Sequence, residues 1–207
     1  MRDYMLLPQE EKEALVKKAA DVARDTEMKY GNCVQSVLNG LYEAFPDMGI
    51  TPEMIKMGFG LAGGCCISLK GTCGALSGAA MAISLIYGRT IDDFSGYYDD
   101  CQALIRTIMD DFEAKYGSVL CADILTRNMG APYDWKTKEG LESYNAHHGS
   151  VHDAEVVAYC AEAVARMIVN GRIKDDGERP DVVNPYYRSP KSLEMERLRK
   201  EAKAAQA

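Results

Sequence analysis

The sequence has no Cys-x-x-Cys pair, no block of basic residues, only three histidines and no convincing alternation of apolar and polar residues. Without Cys-x-x-Cys, neither a zinc ribbon nor a ferredoxin loop is encoded locally, and without Cys-x-x-Cys-His covalent haem is not expected. Lys and Arg number 24 against 31 Asp and Glu, a formal net charge of −7, which argues against nucleic acid or an anionic membrane as partner. The start, Met1 to Glu11, has a short apolar run and then charges, so no signal peptide is expected. The default compartment is then the cytoplasm, where thiols stay reduced. The longest uncharged run, Gly71 to Gly88, only just reaches the length of a membrane span and is rich in Gly, Ala and Ser. It reads as a buried central helix, with no membrane span.

What the chain does have is a globular balance, 47% apolar and 27% charged residues in 207, enough for one core without staples. Helical periods dominate. Glu10 to Tyr30 places Leu15, Val16, Ala19, Ala20, Val22 and Ala23 on one side. Asn32, with Gln35 as capping-box partner, predicts a helix from Cys33 to about Phe45. Thr51-Pro52 opens another, which the glycines from Gly58 to Gly64 end or loosen. Helices are expected from Thr72 to Tyr87, from a Thr90 cap with Asp92 and Asp93 to Tyr116 with a break near Gly96, and from a Ser118 cap to Arg127. Asn128 to Gly149, with Pro132, Trp135 and His147-His148, reads as a long surface loop. Ser150 and Asp153 are expected to cap a helix from Val151 to Asn170, closed by Gly171. Residues 174–190 read as an irregular tail and Ser192 to Ala205 as a charged peripheral helix. The expected architecture is all-α, a compact multi-helix bundle over residues 1–172 with a long loop near 128–150, and a C-terminal extension over 173–207.

One motif is a false friend. Gly58-Phe59-Gly60-Leu61-Ala62-Gly63 matches G-x-G-x-x-G, but a helix precedes it and no Asp or Glu lies between Glu53 and Asp92, so no dinucleotide is expected. The seven cysteines are the chemically informative residues, and an odd count cannot be fully paired. Cys33, Cys73 and Cys121 each fall at or just inside a predicted helix start. The unpaired N–H groups and partial positive charge there favour thiolate, so Cys73 in particular is expected to be more acidic than an ordinary thiol. The plainer alternative is that these cysteines pack as small hydrophobes. Gly74 and Gly78 follow Cys73 on one helix face. Glycine costs about 1 kcal/mol against alanine inside a helix, so either close packing or access of a cofactor or second thiol to Cys73 is needed to explain them.

Cys73-Gly74-Ala75-Leu76-Ser77-Gly78 resembles the CGAxxG hallmark of a redox-active protein family with four characteristic cysteines, written C_GCAxxG_C_C. Gly31-Asn32-Cys33-Val34-Gln35-Ser36-Val37-Leu38 is similar to its first cysteine segment, Tyr116 to Cys121 to its third, and Tyr159-Cys160 to its fourth. The resemblance covers roughly residues 15 to 170. It implies a helical bacterial or archaeal protein with redox-active cysteines, and a similar domain in split-Soret cytochromes is associated with an iron–sulfur centre. The implied ligand set is Cys33, Cys73, Cys121 and Cys160, with Gly74 and Gly78 beside the cofactor and Cys73 as the reactive thiol. The chain departs from the pattern at Cys65-Cys66, at Cys101, and in the stretches at 128–150 and after 172.

The four cysteines are 40, 48 and 39 residues apart, so only the fold can assemble them. Three functions remain open: an iron–sulfur electron-transfer protein, an oxidoreductase or its accessory; a metal-free thiol–disulfide oxidoreductase; and a binding or structural module that packs its cysteines, with structural zinc as a variant. The partner implied is a redox protein or a small redox molecule. A homodimer through Met57 to Leu69 competes with simple core burial of that stretch. His147, His148 and His152 read first as solvated residues and secondly as ligands or a proton relay. Cys65-Cys66 offers a vicinal disulfide, extra ligands, or one buried and one site-lining thiol. Trp135 and Tyr133 cover a cofactor or merely anchor their loop.

Overall fold

The computed structural model describes residues 1–88, 100–130 and 134–173, together with positions 197, 198 and 201. Eight α-helices make up the fold and no strand occurs among the described residues. They are α1 (Gln9–Tyr30), α2 (Cys33–Ala44), α3 (Pro52–Met57), α4 (Gly74–Tyr87), α5 (Asp100–Tyr116), α6 (Cys121–Met129), α7 (Lys138–Ala146) and α8 (Gly149–Val169). None is long and apolar enough to cross a membrane. The expectations for Thr90, Asp92, Asp93 and Gly96, for Pro132 and Tyr133, for 174–190 and for most of Ser192 to Ala205 lie outside the described residues.

α8 is the hub, touching α1, α2, α4, α5, α6 and α7. Val157, Cys160, Ala161, Val164 and Ala165 on it are completely shielded from solvent, spaced three and four apart along one buried side. α1 lies against α8 and α2 through Val16, Ala19 and Ala23, small residues that let the backbones come close. α4 packs on α2 at Gly78. A Cβ there would stand 3.0 Å from both the Val34 carbonyl oxygen and Val37 Cβ, so helix packing is what requires this glycine. Gly78 therefore serves the α2–α4 contact.

The local signals explain most boundaries. Asn32 accepts from the Gln35 amide and Thr51 from the Met54 amide, each capping the helix that follows it. The reciprocal half of the Asn32 capping box does not form, because the Gln35 side chain donates instead to the Ile55 carbonyl across α3. The long loop expected between Asn128 and Gly149 contains α7. Its cap is Thr137, which accepts from the Gly140 amide, and its one buried side chain, Tyr144, stacks on Trp135 at 4.4 Å. At the start of α8 the cap residue is His148 and not Ser150, in the left-handed conformation, and Ser150 is already helical. The end is as expected, with Gly171 at φ 73°.

Between the 3₁₀ turn Gly58–Leu61 and α4 the backbone does something the sequence hardly hints at. Gly63, Gly64, Cys65, Cys66 and Ile67 are five successive residues at positive φ, between 53° and 69°, and Leu69 is a sixth at 63°. L-residues in this region cost roughly 1–2 kcal/mol each, and a β-branched residue such as Ile67 is rare there. Main-chain hydrogen bonds hold the turn: Cys66 to Gly60, Ile67 to Ala62, Leu69 to Gly63 and Gly71 to Gly64, all between 2.8 and 3.0 Å.

Candidate functional site

Three helix starts meet at one place. Cys33 is the first residue of α2, Cys73 is the cap residue of α4, and Cys121 is the first residue of α6. The last two are fastened together. The Cys73 amide donates to Val119 and the Cys121 amide to Gly71, at 2.8 and 3.0 Å, forming an isolated antiparallel bridge between Thr72 and Leu120. Cys33 reaches the pair from the far side, over Gly74, where a Cβ would come within 3.2 Å of the Cys33 sulfur. Gly74 is thus needed for a thiol to approach, while Gly78 one turn on is not at the site.

The three thiols line a cavity of about 340 Å³. Its walls are apolar in Ala62, Ile124, Leu125, Val156 and Val157 and aromatic in Phe59, Trp135 and Tyr144. Cys160 is not on the cavity. It sits in the core on α8, close enough to Cys73 that charge on one thiol raises the pKa of the other. Cys33 and Cys121 feel Cys73 in the same way. None of the seven cysteines is in a disulfide, and no three Cys, His, Asp or Glu side chains stand at metal-binding distance among the described residues.

The expected acidity of Cys73 is overturned. Burial pushes its thiol up to about 12, and the amides of Leu76 and Ala75 at the helix start only partly oppose this. Cys121 is likewise pushed up to about 12 by burial, and Cys33 and Cys160 well above the ordinary thiol range. Partial charge at a helix end acts over one turn, whereas removal from water penalises the whole thiolate charge. A resident group that replaces the proton, or a nearby base, is needed to make thiolate here.

Two bases are present that sequence reasoning missed. Glu27 on α1 and Asp153 on α8 both line the cavity, and no Lys or Arg lines it among the described residues. Burial raises the Glu27 carboxyl to about 7, against the opposing hydrogen bond from Ser36 Oγ at 2.8 Å. Burial raises the Asp153 carboxyl to about 6, although Tyr144 donates to it at 2.8 Å. The signal for Glu27 was in the sequence: it continues the buried stripe Val16, Ala19, Ala20, Ala23, four residues beyond Ala23. Asp153 was read as a capping partner, but it faces inward, three and four residues before the buried Val156 and Val157. Trp135 also lines the cavity, and its indole N–H is buried with no acceptor.

The remaining candidates fall elsewhere. Cys101 is buried against Ser84 between α4 and α5, at 3.6 Å. His147, His148 and His152 are not cavity residues. Cys65 and Cys66 are both exposed on the left-handed turn, with their sulfurs 3.9 Å apart, so neither is buried. Met57, Phe59 and Ile67 are well exposed too, so core burial accounts only for part of the stretch from Met57 to Leu69, Gly58 and Ala62 among it.

No curated protein and no solved structure matches the chain. The family model for "Putative redox-active protein (C_GCAxxG_C_C)" matches residues 31–170, well over half of the chain and the whole span from Cys33 to Cys160. With Cys33, Cys73, Cys121 and Cys160 all inside the matched span, the chain belongs to the C_GCAxxG_C_C family of redox-active proteins.

Proposed function

We propose that the protein is an electron-transfer protein or oxidoreductase accessory whose cavity holds an iron–sulfur centre through Cys33, Cys73 and Cys121, with Cys160 behind Cys73 as the fourth family thiol. The observation that carries this reading is the lining of one cavity by three thiols drawn from three distant helix starts. The donor set fits such a group: soft sulfur ligands, a largely apolar shell and amides at the start of α4 near Cys73. The carboxyls of Glu27 and Asp153 would repel an anionic centre if both were ionised. Glu27, raised to about 7, is half protonated at that pH and can then donate a hydrogen bond instead, while Asp153, raised to about 6, does so below that value. When bound, the centre supplies one-electron transfer. The chain's own part is to exclude water, to fix Cys73 and Cys121 through the Thr72–Leu120 bridge, and to take or release a proton at Glu27 or Asp153.

A metal-free dithiol is the second reading, favoured by one observation: two carboxyls without a cation face thiols too weakly acidic to ionise alone. Oxidation of Cys73 with Cys33 or Cys121 would pass two electrons to a disulfide-class oxidant and two protons to Glu27, Asp153 or water. Anaerobic purification with iron and acid-labile sulfide analysis separates the two. Iron and sulfide present together, and lost in Cys73→Ser, support the first. Their absence, with two thiols lost on mild oxidation, supports the second. The physiological partner is a redox protein or small redox molecule that reaches the exposed rim at Phe59 and Ile67.

A further inference from the structure

Cys65 and Cys66 have no part in that cavity, yet they are the most accessible thiols of the molecule. Adjacent side chains in an extended segment point to opposite faces and cannot grip one ligand. Here both residues are at positive φ, 67° and 53°, and the turn brings the two sulfurs to 3.9 Å. That separation is far from a covalent S–S bond of about 2.05 Å. It is close to the spacing of two thiolates on one tetrahedral ion, where Zn–S of about 2.3 Å sets the sulfurs about 3.8 Å apart. The four main-chain hydrogen bonds that tie Gly60 to Gly71 hold the turn in this shape without any contribution from the two side chains. Strained backbone of this kind is found where a ligand is clamped.

We propose that Cys65 and Cys66 form a second, outer thiol site: a bidentate chelate for a thiophilic divalent cation of the zinc or cadmium class. Binding replaces two S–H protons with two metal–sulfur bonds and releases two protons, with no change of oxidation state. The remaining positions on the ion are open to water or to a donor from a partner. Gly63 and Ile67, which flank the pair in the chain, line the cavity, so an ion held here sits at its rim. The site does not depend on what the inner thiols hold.

The test is a titration of the reduced full-length protein with Cd(II), followed by cadmium–thiolate ultraviolet absorption and by proton release. It compares the parent with Cys65→Ser, Cys66→Ser and the double variant. Both positions are exposed, and far-ultraviolet circular dichroism checks that the variants fold. The parent should bind one more equivalent than the double variant and release about two protons with it. Each single variant should bind that equivalent at least about 100-fold more weakly, because chelation is lost. Equal stoichiometry in parent and double variant, or single variants that bind as tightly as the parent, overturns the proposal. Because the inner thiols are intact in every variant, iron content reports on the inner site separately.

Discussion

Cys73 and Cys66 lie seven positions apart in the chain, and their surroundings are opposites. Cys73 opens a right-handed helix, is sealed from solvent and has amides directed at it. Cys66 lies on a left-handed turn, in water, with a second thiol beside it. Position at a helix start looks like the activating feature and exposure like the neutral one. At Cys73 the helix start does not prevail: burial decides, and the thiol resists ionisation. Placement on a helix is a short-range effect and cannot be read for reactivity without knowing what excludes the solvent.

Alkylation is the sharpest way to break this contrast. In metal-free, reduced protein near neutral pH, Cys73 and Cys121 should react at least about tenfold more slowly than the exposed outer pair, because burial shields them and pushes each thiol up to about 12. Site-resolved mass spectrometry reads the rates. Comparable rates at Cys73 and Cys66 would show that the cavity opens freely to water.

Titration should separate the inner site next. Folding raises the Glu27 carboxyl from 4.5 to about 7, so the folded state binds more protons between these values. That stability is present in full below 4.5 and is lost as pH rises through about 7. The loss is on the order of 3 kcal/mol. Asp153 adds a fall in the same direction up to about 6. Glu27→Gln keeps an acceptor for Ser36 and should flatten the decline in denaturation midpoint between pH 5 and 8, approximate limits set by these shifts. Cys66→Ser should leave the slope as it is. An unchanged slope in Glu27→Gln would mean that Glu27 is hydrated.

Backbone substitutions give smaller effects of opposite sign. Gly74→Ala would press on Ala62 and the Cys33 sulfur, at 3.1 and 3.2 Å, and should destabilise by about 1–3 kcal/mol. Cys66→Gly relieves a left-handed Cβ and should stabilise by up to about 1 kcal/mol, the gain being reduced by glycine's greater freedom when unfolded. Chemical denaturation measures both. If Cys66→Gly destabilises, the left-handed turn is not a strained one.

The same contrast explains what the sequence made legible. Asn32 and Thr51 announced their helices because a cap acts on amides two or three residues away. Asn32 also places Cys33 at a helix start, Gly71-Thr72 and Gly117-Ser118 do the same for Cys73 and Cys121 although neither Thr72 nor Ser118 is the cap residue, and only the resemblance groups the cysteines into one set. The left-handed turn was hidden because Cys65, Cys66 and Ile67 carry a Cβ, and the usual rule reserves such backbone for glycine. α7 escaped notice because it buries only Tyr144 and so shows no apolar period. Glu27 carries a charge of the kind that usually faces water, and Asp153 has the spacing of a capping partner, whereas both follow the buried side of their own helix.

The bridge between Thr72 and Leu120 has a dynamic consequence. It joins the starts of α4 and α6 outside any helix, so Cys73 and Cys121 travel as one rigid jaw. Cys33 rides on α2, which meets α4 only by side-chain packing and by the narrow gap at Gly74 and Gly78. Motion of α2 against this jaw changes the separation of Cys33 from Cys73 and Cys121, and so is one route by which an electron donor, an oxidant or a cofactor precursor reaches all three. Hydrogen–deuterium exchange should show the Cys73 and Cys121 amides as the slow ones and the first turn of α2 as the place where the cavity opens.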